Sequence, residues 1–421
     1  MQVINIENAR KPLFSWCPDL EPQAMAQMEI ISKLPFVEHL AIMADGHLGQ
    51  NMCIGGVVAC NGIVVADFIG SDCGCGVCAV KTSLKRQDII DRDLRKKILD
   101  SILRGVPVGF NHNSQKREAE LKQKYSSKVE YIMEKSGVED AIHSPFKKDS
   151  ERDTIYGQLG TLGGGNHFCD ISYDEDENVW LMVHSGSRNI GMQVNKHFNE
   201  LAEKANEMWY SSSVIPFLPA TSDEGKSLLA WMDYALRFAF LNRQAIVEEI
   251  KRDIEHVLDK DIECDKLINI HHNYASLESH FGKNVWVHRK GATLAVQGQY
   301  GIIPGSQGTA SFIVEGIGEK DGKGNPHSLY SCSHGAGRIM GRADFNRTHN
   351  TEDIINQIKE LMKDVVYVDF SKETSRKGKE TGNLDLSECP LAYKSIEKVM
   401  KEQEDLVKPV HKLMPMINVK A

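Results

Sequence analysis

Apolar residues recur at helical spacing in several long stretches of the chain. Met25, Met28, Ile31 and Leu34 form one stripe, and with Pro22 near its start the segment Pro22 to Leu34 reads as a first helix. Residues 88 to 104 carry Ile89, Leu94, Ile98 and Ile102, and residues 117 to 135 carry Leu121, Val129 and Met133. Both put charge on the opposite face, the pattern of a helix lying on a core. The longest pattern runs from about Glu224 to Lys260 through Leu228, Met232, Ala235, Ala239, Ile246 and Ile250 without a proline, and reads as a packing helix. Elsewhere the apolar runs are short, as strands are. Ile54 to Cys60 and Ile63 to Phe68 flank Asn61-Gly62, the strongest two-residue hairpin signal. Val179 to His184, Ile268 to Ile270 and Val285 onward read as further strands, whereas the segment from about Ser136 to Arg152 is polar and irregular. The most apolar span, Ile54 to Ile69, is broken by Gly55, Gly56, Asn61, Gly62 and Asp67, which rules it out as a membrane helix.

Composition narrows the class. The chain has 421 residues, 41% hydrophobic and 26% charged, enough for one large core or two smaller ones. Lys plus Arg less Asp plus Glu is 50 − 58 = −8, so nucleic acid can be held only by a local basic patch, not by a generally basic surface. Ten cysteines in a chain this long do not make a disulfide scaffold, and Met1 to Glu7 lack a basic-then-apolar signal pattern. A cytoplasmic location is expected.

The chemistry concentrates in Gly70-Ser-Asp-Cys-Gly-Cys-Gly-Val-Cys78, where one carboxylate, three thiols and three glycines share nine residues. Carboxylates and thiolates are metal ligands, and glycines let a loop aim neighbouring side chains at one point. Asp72 and Cys75 are the candidate ligands. Three other readings compete: small buried hydrophobes, a redox pair in Cys75-Gly-Val-Cys78, and half of a structural zinc site. The other cysteines, Cys73 aside, are scattered singly, so further ligands must come from elsewhere, with histidine the obvious source.

Histidines follow in loaded contexts. Ala44-Asp-Gly-His-Leu-Gly49 reads as a glycine-flanked turn carrying Asp45 and His47. Leu159 to Asp170 holds three consecutive glycines and then Asn166, His167 and Asp170; its free N–H groups could cradle a phosphate or a carbonyl. His184 ends a strand beside Ser-Gly-Ser. His271 and His272 are adjacent, and since neighbours on a strand face opposite ways only one of them should reach a metal. The uncharged, hydroxyl-rich Tyr300 to Ser311 suits a nucleotide. His334 precedes Gly-Ala-Gly and is therefore open to a large electrophile such as a phosphoryl group. Arg338 and Arg342, four apart, would share a helix face and hold phosphates if the turn after His334 opens a helix.

Taken together, Gly70-x-Asp-x-x-Cys-Gly76, Gly163-x-Gly-Asn-His-Phe168, His184-Ser-Gly-Ser-Arg188, His271-His-Asn273, Pro304-Gly-Ser306 and His334-Gly-Ala-Gly-Arg338 resemble the RtcB family of GTP-dependent RNA ligases. The likeness runs over nearly the whole chain, from the Asp-Gly-His-Leu-Gly turn to Val419-Lys420-Ala421. Asp170 stands where the family commonly has a guanine-contacting glutamate, and the charged Ser371 to Glu380 has no place on the family pattern.

The resemblance implies an α/β (mixed α+β) fold: a single compact domain over residues 1 to 421, with mixed sheets around a dinuclear metal site. It implies two Mn²⁺ ions held by Asp72, Cys75, His167, His184 and His272, with the Cys75 thiolate shared; ligand types alone would also admit zinc, cobalt or iron. His334 would attack the α-phosphate of GTP and carry GMP as a phosphoramidate. The GMP would pass to an RNA 3′-phosphate, which a 5′-hydroxyl end then displaces, a 2′,3′-cyclic phosphate being opened first. Guanine and ribose contacts would fall to Asn166, Phe168, Asp170, Ser306, Ser311 and Lys420, with Gly335, Ala336 and Gly337 along the phosphates. The wider nucleotide set adds His167, Cys169, His272, Asn273, Pro304, Gly305 and Gln307, while Arg338 and Arg342 would hold RNA phosphate. RNA is the implied partner, with an archease protein as a candidate activator and neither membrane nor DNA expected. Two other classes are a dinuclear metallophosphoesterase, which needs no His334, and a non-catalytic RNA-binding protein, which leaves five convergent ligands unexplained.

Overall fold

The structure, a computed structural model, describes residues 1–146, 155–207, 215–318, 324–374 and 380–420. It is a mixed α/β fold built on two large sheets. The first has six strands in the order Gln2–Ile4, Leu13–Ser15, Val37–His47, Ile54–Cys60, Lys283–Lys290 and Asn273–His280. Val37–His47 is buried along nearly its whole length, and its centre, Leu40 to Ala44, is accordingly a continuous apolar run and not an alternating one. Asp45 and His47 therefore sit on the end of this strand, where a turn was expected.

The expected Asn61-Gly62 hairpin does not form. Ile54–Cys60 already has a neighbour on each edge, Val37–His47 and Lys283–Lys290, so no edge is free for the segment that follows. Gly62 supplies the left-handed turn at φ 65°. The chain then leaves the sheet: Ile63–Val64 pairs with Leu218–Pro219, and Ala66–Phe68 is a single 3₁₀ turn.

The second sheet runs Ile268–His271, Gly76–Lys85, Asn178–Ser185, Phe168–Tyr173, Val407–Lys420, Ser311–Gly316 and Tyr300–Ile303, and Val366–Tyr367 adds in parallel to Val407–Lys420. The C-terminal segment thus lies inside this sheet, between Phe168–Tyr173 and Ser311–Gly316. Helices cover it. Asp223–Leu258 packs on strands Asn178–Ser185, Gly76–Lys85 and Ile268–His271, and in turn carries Arg92–Gly105, Gln115–Ser136 and Asn189–Ala205. The expected helices are present with small shifts: Pro22–Ser32 ends two residues early, and the 88 to 104 pattern splits. Asp91 accepts from the Leu94 N–H at 2.7 Å and caps Arg92–Gly105, leaving Ile89 in a preceding 3₁₀ turn.

The sheets meet at one residue. Ile268–His271 belongs to the second sheet and Asn273–His280 to the first, so the chain crosses between them at His272. The candidate chemistry gathers at this seam. Of the charged segment 371 to 380, Lys372–Thr374 pairs with Glu380–Leu384 and residues 375–379 lie outside the described residues. The irregular stretch near 136 to 152 falls partly outside them as well. Among the described residues no helix is long and apolar enough to cross a membrane.

Candidate active site

Strand register brings the ligand candidates together. In the second sheet Gly76 pairs with His271 on one side and Ser185 on the other, and His184 pairs with Phe168. Antiparallel neighbours set the start of one strand against the end of the next, so Cys75, His167, His184 and His272 arrive at the same end of the sheet. Cys75, His184 and His272 make one group and Asp72, Cys75 and His167 another, with ligand atoms inside each group within 4.8 Å of one another. Cys75 is common to both. Its Sγ lies 3.4 Å from His167 Nε2 and 3.3 Å from His184 Nε2, and His167 Nε2 lies 3.0 Å from Asp72 Oδ2. Of the adjacent pair only His272 joins a group; His271 Nδ1 turns toward the Gly74 carbonyl at 3.2 Å.

These residues fit a bound cation. Two ligands about 2.1 and 2.3 Å from one ion stand roughly 3 to 4 Å apart, the spacing seen here. Burial drives His184 and His272 well below the usual imidazole range, so both are neutral with lone pairs to give. Burial, reinforced by the Asp72 charge, pushes the Cys75 thiol up, a penalty that a cation reverses. Asp72 Oδ1, His167 Nδ1 and His272 Nδ1 are buried without a hydrogen-bond partner. Gly186 makes room for the carboxylate, since a Cβ there would stand 2.3 Å from Asp72 Oδ1. Cys73 and Cys78 pack instead into separate hydrophobic clusters, so the small-hydrophobe reading holds for these two and not for Cys75. All ten cysteines are free thiols.

Two polar residues brace this loop cluster from the long helix. Arg243 is fully buried and donates to the carbonyls of Gly74 at 3.1 Å and Ser185 at 2.8 Å and to Asn269 Oδ1 at 2.7 Å. Asn242 accepts from Gly160 N–H at 2.7 Å and donates to Ser185 Oγ at 3.1 Å and the Gly186 carbonyl at 3.2 Å. Reading the helix as packing alone missed both. Their signal is that they fall where the apolar stripe through Ala235, Ala239 and Ile246 demands buried side chains.

His334 stands beside the cluster, its ring 4.8 Å from that of His272 between centroids. Its Nδ1 lies 2.5 Å from Asp45 Oδ2, and the same oxygen accepts from the backbone N–H groups of His334 at 3.1 Å and Gly335 at 3.3 Å. Burial raises the Asp45 pKa, but the His334 charge and hydrogen bond outweigh it and hold the carboxyl below its usual range. Gly337, at φ 73°, lets the turn close against the strand, because a Cβ there would meet the Asp45 carbonyl at 2.3 Å. The sequence marks both Asp45 and His47 in this segment but gives no sign that Asp45 is the partner of His334. His47 lines the same cleft, with Nδ1 bonded to the Asp45 carbonyl at 2.8 Å.

Asn166, Phe168, Asp170, His272, Asn273, Pro304, Gly305, Ser306, Gln307, Ser311, His334, Gly335, Ala336, Gly337 and Lys420 all line one cleft of about 290 Å³. Period-two alternation explains part of the set: Phe168 pairs with Lys420 and Asp170 with Asn418, all on one face. Cys169, between them, points to the other face and packs with Cys78, Val183 and Val419, so its side chain is core and does not meet a ligand. Burial pushes Asp170 up to about 6, against bonds from Ser172 Oγ and Asn418 Nδ2 that lower it. The Ser306 N–H donates to Thr309 Oγ1 at 2.7 Å and the Gly305 N–H to Ser311 Oγ at 3.1 Å, which shapes the hydroxyl-rich loop.

Arg338 and Arg342 converge, though not on one helix face. The helix begins only at Arg342, and Arg338 lies in the preceding turn bridged to Tyr393. What joins them is Glu388, unremarked in the sequence: its Oε1 takes Arg338 Nη1 at 3.2 Å and Arg342 Nε at 2.6 Å.

The chain is similar to known proteins over nearly its whole length. Residues 27–421 match the family model described as tRNA-splicing ligase RtcB. The RNA-splicing ligase RtcB of Escherichia coli K12 is 34% identical, covering 100% of this chain and 99% of that protein. The tRNA-splicing ligase RtcB of Nanoarchaeum equitans is 30% identical over 92% of this chain and 88% of its own, and that of Thermococcus kodakarensis 27% identical over 94% and 90%.

Proposed function

The chain belongs to the RtcB family of RNA ligases, and from that premise we propose that it joins RNA 3′-phosphate or 2′,3′-cyclic phosphate ends to 5′-hydroxyl ends with GTP, through a GMP carried on His334. The observation that carries this reading is the placing of His334. With Nδ1 engaged by Asp45, the ring presents Nε2 as its free lone pair, in a cleft beside neutral His272 and the two Cys75-sharing groups. A dinuclear metallophosphoesterase, which attacks with metal-activated water, needs no such nucleophilic imidazole.

In this reading Nε2 of His334 attacks the α-phosphorus of GTP, the bond to the bridging oxygen breaks, and pyrophosphate leaves. Asp45 keeps the proton on Nδ1 and steadies the ring as positive charge develops on it. An RNA 3′-phosphate oxygen then attacks the same phosphorus and restores the imidazole. A 5′-hydroxyl finally attacks the 3′-phosphate phosphorus and expels GMP. Asp72, Cys75, His167, His184 and His272 would hold Mn²⁺, whose positive charge offsets that developing on the phosphates. Asp170 accepts guanine N1–H and N2–H in place of the family's glutamate, and Phe168, Asn166, Ser306, Ser311 and Lys420 complete the nucleoside pocket. The basic contribution comes locally from Arg338 and Arg342, in keeping with a net charge of −8.

The test uses GTP labelled on the α- or the γ-phosphate, Mn²⁺ and RNA with a 3′-phosphate and a 5′-hydroxyl. The reading predicts protein labelling from the α-position only and a joined RNA without label. Joining that proceeds without GTP, or labelling by ATP at the same rate, would contradict it.

A further inference from the structure

One carboxylate on the cleft wall serves four partners. Glu388 Oε1 takes Arg338 and Arg342, while Oε2 takes Lys420 Nζ at 3.2 Å and the Tyr393 hydroxyl. The partners come from three separate segments: the turn after His334 with the helix start it leads into, the residue following the Pro390–Ala392 turn, and the end of the terminal strand. All five side chains line the cleft. Burial raises the Glu388 pKa but the three cations outweigh it and hold it at about 2, so the group is ionised throughout the working range.

A second observation points to a ligand. Arg338 is 8% exposed and spends Nε on the Met340 carbonyl at 3.1 Å and Nη1 on Glu388, yet its Nη2 is buried without a hydrogen-bond partner. A planar guanidinium fixed at two nitrogens cannot turn its third away, so this cleft-lining arginine keeps a donor that no protein group uses. Arg342 beside it, with its side chain 48% exposed, uses only Nε on Glu388. With Lys420 on the nucleotide side, Arg338, Arg342 and Glu388 still leave positive charge over, which favours a doubly charged terminal phosphate above a singly charged internal phosphodiester.

We propose that Glu388 is the positioning residue that holds Arg338 and Arg342 to recognise an RNA terminal phosphate, and ties them to Lys420 on the nucleotide side of the cleft. This rests on the RNA-end reading above. Without the carboxylate, three cations crowd one another and the arginines swing apart, so discrimination between a terminal phosphate and a terminal hydroxyl is lost before general RNA affinity is.

The test measures binding of a short RNA carrying a 3′-phosphate against the same RNA with a 3′-hydroxyl, by fluorescence anisotropy with Mn²⁺ and without GTP. The wild type should prefer the phosphate end by about 10-fold or more, and Glu388→Gln should cut that ratio to roughly 2-fold. Glu388→Asp, which keeps the charge on a shorter arm, should lie between, and it carries the comparison if Glu388→Gln fails to fold in a thermal melt. Adding Arg342→Ala to Glu388→Gln should cost little more, since one acts through the other. If both RNAs weaken together with the ratio unchanged, or the two substitutions multiply as independent sites do, Glu388 is only structural and the proposal falls. A wild-type ratio near one overturns the RNA-end reading and this proposal with it, whereas a wild-type preference that Glu388→Gln retains overturns the proposal alone.

Discussion

Asp45 Oδ2 lies 2.5 Å from His334 Nδ1, although 289 positions separate the two residues in the chain. That contact decides which imidazole nitrogen is free. Asp45→Asn can offer an amide N–H in place of the acceptor and so turn or re-tautomerise the ring. GMP adduct formation should fall by about 100-fold or more while Mn²⁺ stoichiometry stays at the wild-type level. Rapid-quench labelling with α-labelled GTP, alongside metal analysis, checks both halves. Adduct formation at the wild-type rate would show that the carboxylate has no part in orienting His334.

Cys75 is the sulfur common to both ligand groups, so Cys75→Ala should remove metal binding and GMP transfer together. Cys73→Ala and Cys78→Ala remove core sulfurs, and should cost on the order of 1 kcal/mol of stability each and leave transfer in place. Metal content by atomic emission and melting temperature by circular dichroism separate the cases. Equal loss of metal in all three variants would mean the wrong sulfur has been assigned.

The segments that carry the candidate ligands were legible in the sequence because each is local. Asp72 and Cys75 share one glycine loop, Asn166 to Asp170 follow one glycine run, and His184 ends one apolar strand, so spacing alone announces them. What was illegible depends on pairing between distant segments. The Asn61-Gly62 hairpin signal is real, but Val37–His47 and Lys283–Lys290 occupy both edges it needs. Cys169 was swept into the nucleotide set with its neighbours, and only the register against Val407–Lys420 shows it facing the core. Glu388 carries no local signature, because the cations that make it matter lie at least 32 positions away in the chain. Asp45 is visible in its glycine-flanked segment, but its partner His334 lies 289 positions on.

Asp170 gives a pH signature. Its carboxyl is pushed from 3.8 up to about 6 in the folded chain, chiefly by burial. A raised pKa means the folded state binds the proton more tightly than the unfolded chain does. The stabilisation is full below about pH 4 and is lost as pH rises through 6, a penalty of up to about 3 kcal/mol at neutral pH. Asp170→Asn removes that term, so the variant should melt higher than the wild type at pH 8 and show little advantage at pH 4. It should also lose preference for GTP over ATP, because the amide cannot accept from both guanine N–H groups. Thermal melts at the two pH values and competition labelling check this; a melting difference that does not change with pH would contradict it.

Arg243 braces the Gly74 and Ser185 carbonyls from the long helix. Arg243→Met keeps much of the volume and strands those acceptors in the interior, which should cost about 2 to 4 kcal/mol. The Cys75 loop and the His184 strand end would also loosen, weakening Mn²⁺ affinity by roughly 10- to 100-fold. Denaturant melts and metal titration measure the two effects. Unchanged metal affinity in a destabilised variant would confine Arg243 to folding.

The central claim, that His334 carries GMP and serves in no other step, is tested most directly with His334→Ala and an RNA whose 3′-phosphate already bears GMP. The variant should bind metal, form no adduct with α-labelled GTP, and yet join the activated RNA to a 5′-hydroxyl partner. The wild-type adduct should be stable in alkali and labile in acid, as a phosphoramidate is. Failure to join the activated RNA despite intact metal binding would contradict the account, as would an adduct that still forms without His334.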